Sequence, residues 1–336
     1  MTGAGYRAAP WLPGPNLGTV YASVARPWPR PPFRRERWEL PDGDFLDVDR
    51  LPAPRPDAPV LVISHGLEGS SGASYVRGLA AAAARAGLGA VAWNFRGCSG
   101  EPNRLLRQYH SGETGDLEAV VRRVADEDPN RPVLLAGFSL GGNQIVKWLG
   151  ERGDDLPDPV RAAVAVSVPF DLAACATALD GPGFWPFVYR ERFLRRLRRK
   201  ALAKAADHPG QIDAAAVRRS RTFAEYDGLV TARLHGFASA DDYWSRCSAA
   251  RFVQGVRRDL LLLSADDDPL VPAGSIPVEQ ARGNRSITLE VTRGGGHVAF
   301  VAGTPLRPAF WAEERAIAFL LDRLGVAGAS VPPQAW

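Results

Sequence analysis

VLLAGFSLGG (133–142) is the stretch on which the reading of this chain turns. Residues 133–138 are apolar without alternation, as expected of a strand covered on both faces. A helix is expected from about Gly141 onward. Between strand and helix stands Ser139, with Gly137 and Gly141 two residues to either side. A serine held at a sharp strand-to-helix turn needs small residues there, because strand and helix approach closely and the turn is strained. The geometry lifts the hydroxyl out of the sheet end, where a reactant can reach it.

The same rhythm extends outward in both directions. Apolar runs at 60–64, 90–95, 163–168, 259–264 and 287–291 read as further strands. Helical segments at 75–86, 113–126 and 308–324 fall between or after them; Leu117, Val120, Val121 and Val124 repeat at helical spacing. Buried strands alternating with helices predict an α/β class fold with a mostly parallel central sheet and helices on both faces. Residues 36–49 read as a hairpin turning at Pro-Asp-Gly-Asp. Residues 1–35, rich in Pro and Arg, read as an irregular arm from which Trp11, Leu12, Trp28 and Phe33 can pack on the core. After residue 170 the rhythm stops for about 85 residues, too long for an ordinary connection. The expected organisation is an arm (1–35), a core (36–170 and 256–327) and an inserted helical cap (171–255) over the carboxyl ends of the strands.

Composition fits a packed globular protein. Of 336 residues, 46% are hydrophobic and 23% charged. The net charge of +4 is too small to predict nucleic-acid binding. Three widely spaced cysteines, Cys98, Cys175 and Cys247, give no metal-ligand pair and read as free thiols in a reducing compartment. Neither a secretory signal nor a membrane-spanning run is visible, so a cytoplasmic enzyme is expected.

A serine hydroxyl needs a base to act as a nucleophile. Of five histidines, His297 follows the last predicted strand within GGGHV (294–298), in the chain order Ser, acid, His that suits such a sheet. The acid should follow the strand at 259–264, where Asp266, Asp267 and Asp268 stand in a row. Asp268 is preferred for its spacing to Pro272, with Asp267 as the alternative. Two backbone N–H donors for a developing oxyanion are expected from Leu140, after the serine, and Leu67, on the loop after the strand at 60–64. His65 on that loop reads as a shaping hydrogen-bonder, and Arg96, Asn103 and His110 as braces near the sheet top.

HGLEGSSGASY (65–75), NFRGCSGEPNR (94–104), YHSGETGD (109–116), GFSLGGN (137–143), HGFASADDYW (235–244), ADDDPLVP (265–272) and GGGHVAF (294–300) together resemble the YheT-like branch of the α/β-hydrolase superfamily, related to ABHD-type lipid hydrolases. The resemblance implies a serine hydrolase with a helical cap, acting on carboxylic esters, with lipid esters in its range, without metal or organic cofactor. It carries Ser139 and His297 over directly. It also supports Asp268, the residue before Pro269, although an acidic triplet replaces the usual pair. The expected partner is a small-molecule or lipid ester. The same residues would serve an acyltransferase using an alcohol in place of water; a non-catalytic binding protein is the reading from another class.

Within the insertion, Phe184, Trp185 and Phe187 are candidates for a pocket or lid. The basic run 190–204 is expected either to be a solvated cap helix or to touch an anionic membrane surface or steer acidic substrates.

Overall fold

The computed structural model describes residues 5–27 and 29–326; Trp28 and residue 327, named above with the arm and the core, lie outside them. The strands are β1 (Arg34–Glu39), β2 (Phe45–Leu51), β3 (Val60–Ser64), β4 (Gly89–Trp93), β5 (Val133–Phe138), β6 (Val160–Val166), β7 (Asp259–Ala265), β8 (Ile287–Thr292), β9 (Val301–Thr304) and β10 (Arg307–Phe310). Eight of them form one sheet in the order β1-β2-β4-β3-β5-β6-β7-β8. The pairs β1/β2 and β2/β4 are antiparallel, and every pair from β4 to β8 is parallel.

Helices α1 (Pro15–Val24), α2 (Ser74–Arg85), α3 (Gly115–Glu127) and α4 (Leu140–Arg152) precede or interleave with the early strands. Then come α5 (Leu172–Asp180), α6 (Phe184–Asp207), α7 (Ala214–Arg219), α8 (Phe223–Tyr226), α9 (Ala232–His235) and α10 (Ala240–Cys247), all between β6 and β7. The last two are α11 (Val278–Arg282) and α12 (Trp311–Arg323).

The unbroken apolar strands follow from two cores, one on each sheet face. Along β5, Val133 and Leu135 face one cluster, and Leu134, Ala136 and Phe138 face the other; β7 splits Leu260 and Leu262 from Leu261 and Leu263 in the same way. Helices α3 and α4 cover the first face through Leu117, Val120, Ile145 and Trp148. Helices α2 and α12 cover the second through Leu79, Ile317 and Leu320. The strand order reverses around β3, so the carboxyl ends of β3 and β5 border a crevice, where open α/β sheets place their sites.

Three expectations are corrected. The arm is not wholly irregular: α1 lies within it, started by Gly14 and a proline at its first turn. Its buried residues, Gly18, Thr19 and Ala22, are small, and its large apolar residues at helical spacing, Leu17, Val20, Tyr21 and Val24, lie on the less buried face. It is fixed by Ser74 Oγ donating to Ala22 O (2.8 Å) and by a buried Arg26–Glu313 ion pair at 2.6 Å. The closing helix begins at Trp311, because Arg307–Phe310 pairs as a strand with Val301–Thr304. The basic run is one part of the 24-residue α6; Arg192, Arg195, Arg196 and Arg199 are exposed, as a solvated face requires, but Lys200 and Lys204 are turned toward the loops above the sheet. Arg196 donates to Glu68 O (3.1 Å), Lys200 to Glu68 Oε1 (2.9 Å) and Cys98 Sγ (3.0 Å), and Lys204 to Asn103 O and Leu105 O. These bonds tie the inserted helices to the loops above the sheet.

Candidate active site

Ser139 sits where β5 ends and α4 begins, with φ 52° and ψ −120°. That left-handed conformation costs a non-glycine residue about 1–3 kcal/mol and persists only where its surroundings impose it. Here they do. A Cβ on Gly137 would lie 2.5 Å from Gly141 O, and one on Gly141 would lie 2.5 Å from His65 O. Only hydrogen side chains let β5, α4 and the loop after β3 come this close.

His297 hangs from the loop after β8. Gly294, Gly295 and Gly296 all have positive φ, and a Cβ on Gly295 would meet Ala265 and Phe300 at 2.9–3.0 Å. The loop is pinned at successive amides. Gly294 N–H donates to Asp266 Oδ1 (2.7 Å), Gly296 N–H to Asp267 Oδ1 (2.9 Å), His297 N–H to Thr19 Oγ1 (2.9 Å) and Val298 N–H to Ser167 Oγ (3.0 Å). Two aspartates of the triplet are therefore occupied with backbone. The third, Asp268, meets the ring: His297 Nδ1 lies 2.8 Å from Asp268 Oδ2, and His297 Nε2 lies 2.9 Å from Ser139 Oγ. Asp268 Oδ1 also accepts the N–H groups of Leu270 (2.9 Å) and Val271 (3.1 Å), which fixes the carboxylate.

The loop after β3 is built to free one amide. Gly66 N–H donates to Tyr75 Oη and Glu68 N–H to Tyr109 Oη, each at 2.9 Å. Leu67 N–H, between them, and Leu140 N–H, at the open start of α4, donate to no acceptor among the described residues. His65 is buried with a neutral ring: Nε2 accepts Phe95 N–H (3.1 Å), which leaves Nδ1–H to donate to Gly66 O (2.7 Å). Burial pushes its pKa down to about 3. Arg96 forms a buried fork to Asp116, both bonds 2.8 Å, and reaches Asp44 at 3.1 Å. It braces loops and does not point at the serine.

Two cavities meet at Ser139 and His297. One, of about 110 Å³, runs under the inserted helices and is largely apolar, lined by Leu172, Phe193, Leu197, Tyr226, Tyr243 and Trp244 among others. Asp227 also lines it, in a π-helical turn (Asp227–Thr231), where its carboxylate accepts Thr231 Oγ1–H (2.7 Å) and Trp244 Nε1–H (2.8 Å). Burial pushes its pKa up to about 6. The other, of about 240 Å³, opens between α1, the loop after β3 and α6, and is lined by polar groups including Ser70, Tyr75, Arg192 and Arg196.

Phe184, Trp185 and Phe187 line neither cavity. Phe184 is 70% and Phe187 53% exposed, and Trp185 stacks on Tyr189. The first turn of α6 projects beyond the inserted core, so the pocket aromatics come from the later helices instead. Thr19 and Asp227 carried no motif that singled them out, and Arg192 and Arg196 were visible only as part of the basic run 190–204. All three cysteines are free and buried.

A strained serine at a strand-to-helix turn, faced by an imidazole and an aspartate over a parallel sheet, defines the α/β-hydrolase class of site. The alpha/beta hydrolase fold family matches residues 59–304. The candidate esterase YheT of Escherichia coli K12 is 42% identical over 284 residues, covering 83% of this chain and 82% of its own. The mouse phospholipase ABHD3 is 31% identical, covering 82% of this chain and 68% of its own. Among solved structures, an esterase of Pyrococcus furiosus superposes with a TM-score of 0.56 at 17% identity, over 87% of this chain and 91% of that one. The chain belongs to the α/β-hydrolase fold family, in its YheT-like branch.

Proposed function

We propose that the chain is a serine esterase that cleaves carboxylic esters through an acyl-enzyme. The observation that carries this reading is the unbroken hydrogen-bonded line Ser139 Oγ, His297 Nε2, His297 Nδ1, Asp268 Oδ2, at 2.9 and 2.8 Å, where two cavities meet. His297 takes the proton as Ser139 Oγ attacks the ester carbonyl, and Asp268 stabilises the resulting imidazolium. The N–H groups of Leu67 and Leu140 receive the oxyanion. His297 then protonates the leaving alcohol, and a water activated by the same ring releases the acid. The apolar cavity takes the acyl chain and the polar one the alcohol. The names of the relatives, an esterase and a phospholipase, point the same way. A fluorophosphonate probe should phosphonylate wild-type protein, with the adduct mapping to Ser139 by peptide mass spectrometry. Wild-type protein that stays unlabelled overturns the reading.

The partner that fits the outer face is a lipid surface. Leu17 (44% exposed), Val24 (56%), Phe184 and Phe187 lie on α1 and the start of α6, two helices joined by Tyr189 Oη–H to Asn16 Oδ1 (2.9 Å) and by Arg192 to Ser23 Oγ (2.8 Å). Other residues of the same two helices, Thr19, Ala22, Ser23, Tyr189 and Arg192, line the polar cavity, and the exposed Arg195 and Arg199 follow on α6. Apolar tips beside cations suit an anionic interface. The protein should pellet with phosphatidylglycerol vesicles more than with phosphatidylcholine vesicles, and Phe184→Ser/Phe187→Ser should lose that binding at unchanged melting temperature. Equal pelleting of wild type and variant removes the partner. Among the described residues, no helix is long and apolar enough to cross a membrane.

A further inference from the structure

We infer that Arg192 and Arg196 form an oxyanion-binding subsite on the alcohol side of the scissile ester, so that the preferred substrates carry a phosphate or carboxylate on the leaving alcohol. The inference rests on the esterase reading above and narrows it.

Four cations on α6 stand one turn apart: Arg192, Arg196, Lys200 and Lys204. The lower two are matched, Lys200 by the Glu68 carboxylate and Lys204 by two loop carbonyls. The outer two both line the polar cavity and have no carboxylate within ion-pair distance among the described residues. Among the described residues, Arg192 hydrogen-bonds only to the Ser23 hydroxyl and Arg196 only to the Glu68 carbonyl. Glu68, the one carboxylate in the cavity wall among the described residues, is already taken by Lys200. The cavity is therefore cationic. Its two guanidiniums belong to exposed residues a turn apart at the open side of the cavity and repel one another; burial and the neighbouring Arg196 together hold the Arg192 guanidinium below its ordinary range. A bound oxyanion relieves both effects, and a guanidinium fork matches phosphate or carboxylate oxygens in pairs.

The position of the pair relative to the reacting atoms decides which half of the substrate it meets. The cavity contains Ser139, His297 and Val298 as well as the arginines. The leaving oxygen must lie against His297 Nε2 to receive its proton, and this cavity, unlike the one under the inserted helices, follows the chain past His297 to Val298. An acyl chain is served by the apolar cavity, which contains neither arginine. The charged group accordingly belongs to the alcohol.

The test compares three butyryl esters that share one acyl group: butyrylglycerol, butyrylglycerol phosphate and 3-butyryloxypropanoate. Wild-type protein should prefer an anionic ester by about 10–100-fold in kcat/KM, carried mainly by KM. The phosphate and carboxylate arms rank the two anions. In Arg192→Gln/Arg196→Gln the preference should fall toward unity, whereas Arg218→Gln, at an exposed position on α7 outside both cavities, should keep it. A preference of wild type no greater than about twofold, or one that survives in the double variant, overturns the subsite while leaving the esterase standing. If no ester is turned over by any form, the esterase reading fails. The subsite is then judged by calorimetric titration of inorganic phosphate into Ser139→Ala protein: binding abolished by the two Arg→Gln substitutions supports it, and no binding overturns it.

Discussion

Ser139→Ala should lower turnover of p-nitrophenyl butyrate by several decades, on the order of 10⁴-fold or more, at a melting temperature no lower than that of wild type. The loss is large because the proposed mechanism makes the hydroxyl the bond-forming atom, and among the described residues no other side chain hydrogen-bonds to His297 Nε2. The fold survives because alanine removes only Oγ from a position whose backbone is fixed by Gly137 and Gly141; the φ of 52° strains alanine no more than serine. The acid is tested by a pair of substitutions. Asp268→Asn presents an amide to His297 Nδ1, which favours the wrong tautomer and removes the charge that balances the imidazolium, so a loss of about 10³–10⁴-fold is expected. Asp267→Asn keeps an oxygen that can accept Gly296 N–H, and its effect should stay within about tenfold. Activity surviving in Ser139→Ala removes that residue from its role, and the reverse order of the two Asn variants moves the acid to Asp267.

The strand-to-helix turn at Ser139 was legible because its constraints are local. A continuous apolar run, a serine and flanking glycines describe one turn, and the glycines are explained by the contacts a Cβ would make. The Asp triplet was harder to read. Three adjacent carboxylates differ only in where a strand end aims them, and hydrogen bonds to Gly294 and Gly296 hold the first two away from the ring. The basic character of α6 was visible, but its direction was not. Lys200 and Lys204 point inward because Glu68 and two loop carbonyls wait there, a long-range matter. Large exposed aromatics such as Phe184 drew attention away from Tyr226, Tyr243 and Trp244. These reach the cavity only because short helices and a π-helical turn fold them over Ser139. Thr19 had no local signal at all, being a small residue between the large apolar ones of its helix, yet it holds the His297 amide.

Acid should destabilise the protein well above the range in which carboxylates titrate, and Asp227→Asn should make the native state more stable at pH 8. Burial pushes the pKa of His65 and His110 down to about 3 and that of His235 to about 4. His110 and His235 also lie against each other, with ring centroids 4.5 Å apart, so charging one opposes charging the other. In the unfolded chain a histidine titrates near 6.5. A base whose folded pKa is depressed contributes stability above the unfolded value and loses it as pH falls, because the unfolded chain takes up protons that the native ring refuses. Asp227 works in the opposite sense. Its folded pKa of about 6 lies above the ordinary carboxylate value, so the native state holds a proton that the unfolded chain releases. Near pH 6 three histidines against one aspartate leave the unfolded chain with about two extra protons, a slope of roughly 2–3 kcal/mol per pH unit. Domains of ordinary stability, about 5–15 kcal/mol, lose a large share of it over one and a half such units. Urea unfolding at pH 8, 7, 6 and 5 should give a level stability above pH 7.5 and a steep fall below 6.5. A flat profile from pH 7 to 5.5 would contradict buried neutral rings. Asn at 227 can still accept Trp244 Nε1–H and donate to Thr231 Oγ1, so it removes the charge without orphaning either partner. The charged aspartate costs the fold stability above pH 6, by roughly 3 kcal/mol, because a carboxyl held near pH 6 by burial is harder to ionise than one in the unfolded chain. Asp227→Asn should recover much of that at pH 8, little at pH 4, and steepen the acid slope between them. Equal stability of variant and wild type at pH 8 would mean that the carboxylate is solvated, and that the cavity beneath the inserted helices is wetter than its aromatic lining implies.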